Sequence, residues 1–338
     1  MKTMEKLLER LTTPSDNLTV DMSRIKGDIL IIGAGGKIGP TLSVLAKRAA
    51  VQSGVDRRVI AASMFNDEKT ITYLTQNGVE VIDTDLLKPG ALSNLPDAPN
   101  IIYMAGRKFG TQGNQALTWA INTYLPGLVA QRYPGSRIVA FSTGNVYGMR
   151  PIYSGGALED ETLEPVGEYA QSCVGRERLL TYWSETNDTP MLLFRLNYAI
   201  DMRYGVLYDI ASTVLGQKPV DLSIGYVNCI WQGDAAEYAL RSLPYCQTPP
   251  AILNVTGPES ISVAHIAREF GRLFDVPVTF TGAPPDSSLF SNAGKMARLF
   301  GYPSVSLNQM IHWTADWLAS GGDVIDAPTH FEQRNGKF

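Results

Sequence analysis

One short run constrains the fold more than any other: Gly33-Ala34-Gly35-Gly36-Lys37-Ile38-Gly39, set directly after the apolar stretch 28–32 and before Pro40. A chain that leaves a strand and enters a helix within a few residues needs positions without Cβ, and the unpaired amides at the helix start form an anion site. Pro40 suits a first helical turn, where its missing N–H is not needed. This order predicts a βα unit whose turn holds a phosphate group, with Gly33, Gly36, Lys37, Ile38 and Gly39 as candidate contacts.

The same rhythm continues downstream. Short apolar runs at 28–32, 58–62, 79–82, 100–104, 137–142 and 191–196 read as buried parallel strands, and longer stretches at 37–50, 115–131 and 168–185 read as the helices between them. The predicted class is α/β, a Rossmann-type doubly wound parallel sheet with a smaller C-terminal substrate lobe. Residues 26–197 read as the dinucleotide-binding domain. Beyond Asn197 the rhythm weakens into helices near 234–242, 263–274 and 308–320, so 198–338 read mainly as the lobe, able to return strands to the sheet. Residues 1–25 read as a helical extension capped at Ser15 or Asp16.

Composition narrows the partners. The net charge is −4 and the 29 basic residues are scattered, so nucleic acid is not expected. Glu5, Glu9, Asp16 and Asp21 interrupt the start of the chain, and no later run reaches ~18 apolar residues, so neither a signal peptide nor a membrane partner is expected. Cys173, Cys229 and Cys246 form no CxxC pair, which fits a reducing compartment and a cytoplasmic location. His265, His312 and His330 share no ligand spacing, so no metal is expected.

Glycines at 33, 36 and 39 have the GxxGxxG spacing, and further motifs follow: Val81-Ile82-Asp83-Thr84-Asp85-Leu86, Tyr103-Met104-Ala105-Gly106, Thr143 to Gly148, and Tyr169. From about Gly27 to Leu318 the chain resembles the NAD-dependent epimerase/dehydratase branch of the extended short-chain dehydrogenases. The resemblance implies that Asp85 accepts from the adenine amino group, with Leu86 beside it. It places Met104, Ala105 and Gly106 beneath the ribose and pyrophosphate, makes Asn122 the helix asparagine that supports the active site, and brings Leu196 and Asn197 to the cofactor. It also implies a homodimer paired through the helices after the fourth and fifth strands. NAD and NADP stay open: the second strand ends Ala61-Ala62-Ser63-Met64, with no acid for ribose hydroxyls, and Lys37, Arg57 and Arg58 are the cations available to a phosphate.

In the same resemblance Thr143 takes the place of the catalytic Ser/Thr and Tyr169 that of the acid/base in YxxxK. The lysine of that motif is absent; its position is Cys173. Positions i and i+4 share a helix face, and an ammonium ~4 Å from a phenol contributes about 4 kcal/mol at an effective dielectric of ~20, roughly 3 pK units. Three readings follow. Another cation substitutes, with Lys108 or Arg176 as candidates; Cys173 itself acts as a thiolate; or the chain binds a dinucleotide without turnover, as a regulatory or scaffold protein.

Arg195-Leu196-Asn197-Tyr198 resembles the segment leading into the substrate cleft, and Asn254-Val255-Thr256-Gly257-Pro258 resembles a turn of the lobe. Residues 222–228 and 281–292 hold no Arg or Lys, whereas a diphosphate needs charge-assisted partners. The expected small-molecule substrate is therefore a free sugar, sugar acid or polyol and not a nucleotide sugar. Asn145 and Asn197 are candidate contacts, with Arg203 and Arg150 available to a carboxylate. Oxidation, epimerisation and dehydration all begin with the same hydride transfer, so the reaction type stays open.

Overall fold

The six apolar runs become β1 Ile29–Ile32, β2 Val59–Ser63, β3 Glu80–Asp83, β4 Asn100–Tyr103, β5 Arg137–Thr143 and β6 Met191–Leu196 in the computed structural model, which describes residues 1–110, 113–325 and 328–336. A seventh strand, β7 Ala251–Val255, is returned to the sheet from beyond Asn197. All neighbours are parallel, in the spatial order β7-β6-β5-β4-β1-β2-β3. This is the 3-2-1-4-5-6 order of dinucleotide-binding sheets with one strand added at an edge. Every residue of β1, β2 and β4 is buried, as expected when helices cover both faces.

The helices are α1 Met4–Thr12, α2 Asp16–Arg24, α3 Gly39–Gln52, α4 Glu68–Gln76, α5 Gln115–Trp119, α6 Leu125–Arg132, α7 Gly167–Asn187, α8 Val206–Leu215, α9 Gln232–Arg241, α10 Val263–Phe274, α11 Gly294–Phe300 and α12 Leu307–Ala319. The lobe core gathers α8, α10 and α12, with Ile210, Phe270 and Trp317 among its buried side chains.

The extension joins both parts. Ser15 caps α2 by accepting from the Leu18 amide, and Leu18 and Met22 enter the core that includes α3. Leu7 and Leu11 of α1 enter the lobe core instead. Burying a leucine stabilises by about 1.5–3 kcal/mol, so α1 and α2 tie lobe and sheet together mainly through apolar area. Arg241 of α9 adds an ion pair to Asp21 at 2.8 Å. The buried Arg57 guanidinium donates to the carbonyls of Met22 and Ile25.

That placement corrects one expectation. Arg57 and Arg58 lie at the start of β2, at the opposite end of the sheet from the glycine loop, and Arg58 pairs with Glu80 at 2.8 Å. Neither faces a dinucleotide ribose. Among the described residues no helix is long and apolar enough to cross a membrane, and no group of three or more His, Cys, Asp or Glu side chains converges as a metal site.

Candidate active site

The glycine loop leaves β1 and runs straight into α3. Gly33 has φ +88, and a Cβ there would lie 2.3 Å from the Ala105 amide; at Gly39 it would lie 2.2 Å from the Ala34 carbonyl oxygen. These glycines let the loop touch the end of β4 and let α3 start directly beneath it. A Cβ on Gly36 would have only the Gly33 carbonyl oxygen nearby, at 3.8 Å, and no side chain caps the start of α3. An uncapped 14-residue helix behind an open glycine turn fits a pyrophosphate.

Beside this loop lies a cavity of about 260 Å³, lined by Ile38, Met104, Gly106, Lys108, Phe141, Thr143, Asn145, Tyr169, Arg176, Leu196, Asn197, Tyr198, Tyr204 and Thr329, among others. It opens at the carboxyl ends of β1, β4, β5 and β6, where a doubly wound sheet presents its crevice. The Thr143 hydroxyl at the end of β5 accepts from the Asn145 amide at 3.2 Å and from its side chain at 3.1 Å. Tyr169, half-buried in the first turn of α7, hydrogen-bonds with Thr143. Burial and the neighbouring Cys173 hold its phenol well above the usual tyrosine range, while the Thr143 hydrogen bond and the Arg176 charge oppose them. Cys173 is fully buried among Val146, Tyr147 and Ala157, and burial pushes its thiol up.

Beneath Tyr169 the chain places a different cation. Between α5 and α6 the helix passes through a π-helical segment, Ala120–Tyr124, and four residues after Asn122 stands Pro126. Proline carries no N–H, so the Asn122 carbonyl cannot accept the i+4 bond of an α-helix. Arg176 takes it: Nε donates to Asn122 O at 3.0 Å, Nη2 to Asn122 Oδ1 at 3.0 Å and Nη1 to Phe141 O at 2.6 Å. The guanidinium is buried and, among the described residues, lies in no ion pair within 4.0 Å. Asn122 completes the arrangement by holding the Arg107 backbone on both sides and donating to Ser172 Oγ at 2.9 Å. Across the cavity, the Lys108 ammonium donates to the Thr329 carbonyl at 3.4 Å, and burial lowers its pKa to about 8.

Other predicted residues stand elsewhere. Lys37 turns inward, its ammonium 3.0 Å from the centre of the Tyr204 ring, buried and, among the described residues, without a hydrogen bond, with its pKa lowered to about 8 chiefly by burial and next by Lys108. It therefore does not extend toward a ribose phosphate. Asp85 follows β3, where its carboxylate accepts from the Leu87 amide at 3.0 Å, and Leu86 is buried in the adjoining core. Arg203 is not brought to the cavity: its guanidinium grips Asp201 at 2.6 Å. Arg150 pairs with Glu161 and Glu164. Arg195 points below the cleft, in a buried ion pair with Glu177 at 2.7 Å. No motif marks Thr329, which reaches the cavity wall from far along the chain.

A family model described as the NAD-dependent epimerase/dehydratase family matches residues 29–199. No curated protein matches by sequence. Among solved structures, the UDP-glucuronic acid 4-epimerase from Bacillus cereus in complex with NAD is 18% identical with a TM-score of 0.72, over 86% of this chain and 98% of that one. The UDP-Glc/GlcNAc 4-epimerase from Campylobacter jejuni is 17% identical at 0.71, over 88% and 99%. The Thermus thermophilus UDP-glucose 4-epimerase in complex with NAD is 18% identical at 0.68, over 86% and 98%. Identities this low carry the fold alone; the family model covers more than half of the chain, and with it the chain belongs to the NAD-dependent epimerase/dehydratase family, enzymes of the extended short-chain dehydrogenase type.

Proposed function

We propose that this enzyme uses NAD to oxidise, epimerise or dehydrate a sugar-like substrate held between Thr143, Asn145, Tyr169, Lys108 and Asn197. The observation that carries the reading is the convergence of these side chains in one cavity beside the glycine loop. NAD is favoured over NADP because Lys37 faces Tyr204 while Arg57 and Arg58 lie at the far end of the sheet.

When bound, the cofactor supplies a hydride acceptor and donor. The Thr143 hydroxyl orients the substrate oxygen, and Tyr169 exchanges a proton with it. Because burial raises the phenol pKa, Tyr169 is protonated in the free protein and ready to donate. Removing a proton from an alcohol needs added positive charge, and Lys108 and Arg176 supply it from two walls in place of the absent lysine.

The substrate is a free sugar, sugar acid or polyol. Among the described residues that line the cavity the only arginine is Arg176, whose guanidinium is already held by Asn122 and the Phe141 carbonyl, so a diphosphate would find no free guanidinium there. A nucleotide sugar is the second reading, favoured by similar solved structures that are UDP-sugar epimerases. Fluorescence titration with NADH and NADPH, followed by an oxidation screen over free sugars, sugar acids and UDP-sugars, separates them. NADH binding with turnover that Tyr169→Phe abolishes is the expected result. Binding without turnover across the panel restores the regulatory alternative. The enzyme pairs as a homodimer through α5–α7, whose exposed faces carry Leu117, Trp119, Tyr124 and Tyr182.

A further inference from the structure

Residues 328–336 do not trail into solvent. Thr329 is buried, and both its amide and its hydroxyl donate to Asp209 of α8, while its carbonyl accepts from Lys108. Phe331 is buried in the lobe core. Arg334 donates to the carbonyls of Ser223 and Ser287 and to the Ser287 hydroxyl. Gly336 then crosses the chain at Gly167, two residues before Tyr169, so closely that a Cβ on Gly336 would lie 2.1 Å from the Val166 carbonyl oxygen. His330, between these anchors, holds φ +52, an uncommon backbone state that the surrounding contacts enforce.

Segments without helix or strand are ordinarily poorly ordered unless tied down. This one is tied at the lobe, at the catalytic lysine and at the start of the catalytic helix, and between the first two anchors it contributes Thr329 to the cavity wall. We propose that residues 328–336 form the closing wall of the substrate site and that Thr329 is a specificity-determining residue, limiting the substrate to one sugar-sized unit. The proposal rests on the functional reading above and deepens it. A closed wall also shelters the nicotinamide end of a bound dinucleotide from water.

The test uses the intact chain, a variant lacking 328–338, and Thr329→Gly and Thr329→Trp, each loaded with NADH. Iodide quenching of bound NADH fluorescence should rise at least about threefold on deletion and about twofold in Thr329→Gly. Thr329→Trp should keep NADH affinity within about twofold, yet lose about tenfold or more in kcat/KM on the substrate the wild type turns over. Thr329→Gly should broaden the panel toward larger sugars. Quenching that is unchanged in both the deletion and Thr329→Gly overturns the wall. Thr329→Trp turning over like wild type overturns the specificity role. If deletion prevents folding, Thr329→Gly decides the quenching arm. An inert wild type with sheltered NADH instead defeats the functional reading while leaving the wall standing.

Discussion

Replacing Glu177 by glutamine should cost this fold about 3–5 kcal/mol, because it leaves the Arg195 guanidinium buried without its counter-charge. Glu177 and Arg195 are 4% and 2% exposed, so water cannot take over the lost partner. The carboxylate accepts from Arg195 Nε at 2.9 Å and Nη2 at 2.7 Å and from Ser142 Oγ at 2.6 Å. Arg195 also donates to the Tyr147 hydroxyl at 2.6 Å, and Tyr147 to Asn254 Oδ1 at 2.8 Å, so one network ties α7 to β5, β6 and β7. A loss of that size moves the urea midpoint down by about 1 M or more at an unchanged slope. Removing both charges, as Glu177→Leu with Arg195→Met, should recover most of it. The remainder, about 1–2 kcal/mol, is the Ser142 hydroxyl left without its acceptor and the Tyr147 hydroxyl left without the Arg195 donor. Equilibrium denaturation of the single and double variants measures all three. A single variant within about 1 kcal/mol of wild type, or a double variant less stable than the single, refutes the reasoning.

Gly39→Ala forces a methyl group against the Ala34 carbonyl and should destabilise by about 1–3 kcal/mol while abolishing NADH binding, read by fluorescence titration. Lys37→Met removes a buried ammonium that has no hydrogen bond among the described residues and should leave the free protein as stable as wild type or about 1 kcal/mol more so, read by thermal unfolding at neutral pH. Lys108 is charged below pH 8 and loses its proton as pH rises through about 8, so turnover should fall on that limb; Lys108→Arg should carry it to higher pH. For stability the sign is opposite: from about pH 8 up to the ordinary lysine range the unfolded chain binds more protons at Lys37 and Lys108, so these two groups raise stability with pH there. Sedimentation of wild type and Trp119→Glu should show a dimer and its weakening; a monomeric wild type excludes the α5–α7 pairing.

Local chemistry made part of this molecule legible in its sequence. The glycine loop, the six apolar strands and the i, i+4 relation of Tyr169 and Cys173 depend on neighbours within one element: the loop runs from β1 into α3, the strands join one sheet, and Tyr169 packs against the cluster that holds Cys173. Charged side chains were legible least, because their direction is set by distant partners. Arg203 and Arg195 carry the same charge, yet Asp201 holds one outside the cavity and Glu177 holds the other below it. Lys37 sits in the turn read as phosphate-binding but folds onto Tyr204. Strand β7 was hidden because Ala251–Val255 ran into the turn Asn254 to Pro258 and looked like part of the lobe. One signal was present and unread: Pro126 four residues after Asn122 announces a free carbonyl, and a free buried carbonyl requires a donor.

That carbonyl links the absent lysine to the fold around it. Desolvating a guanidinium costs several kcal/mol, and neutral acceptors return less of it than a carboxylate would. Yet Glu177, next to Arg176 in sequence, is committed to Arg195, and Arg176 is left with Asn122 and the Phe141 carbonyl. A full carboxylate there would neutralise the cation; carbonyl and amide oxygens fix its position and leave its field intact. Helical side chains lean toward the helix N-terminus, so an arginine at position 176 reaches back under the turn that carries Cys173. A lysine at 173 and the arginine at 176 would then place two cations in one buried space, and their repulsion would disfavour the pair. The small, uncharged Cys173 is the residue type this geometry accommodates, so Cys173→Lys should destabilise the protein by about 2 kcal/mol or more and leave turnover no higher than wild type. A stable Cys173→Lys variant with raised turnover would show instead that the site lacks the charge assigned to Arg176.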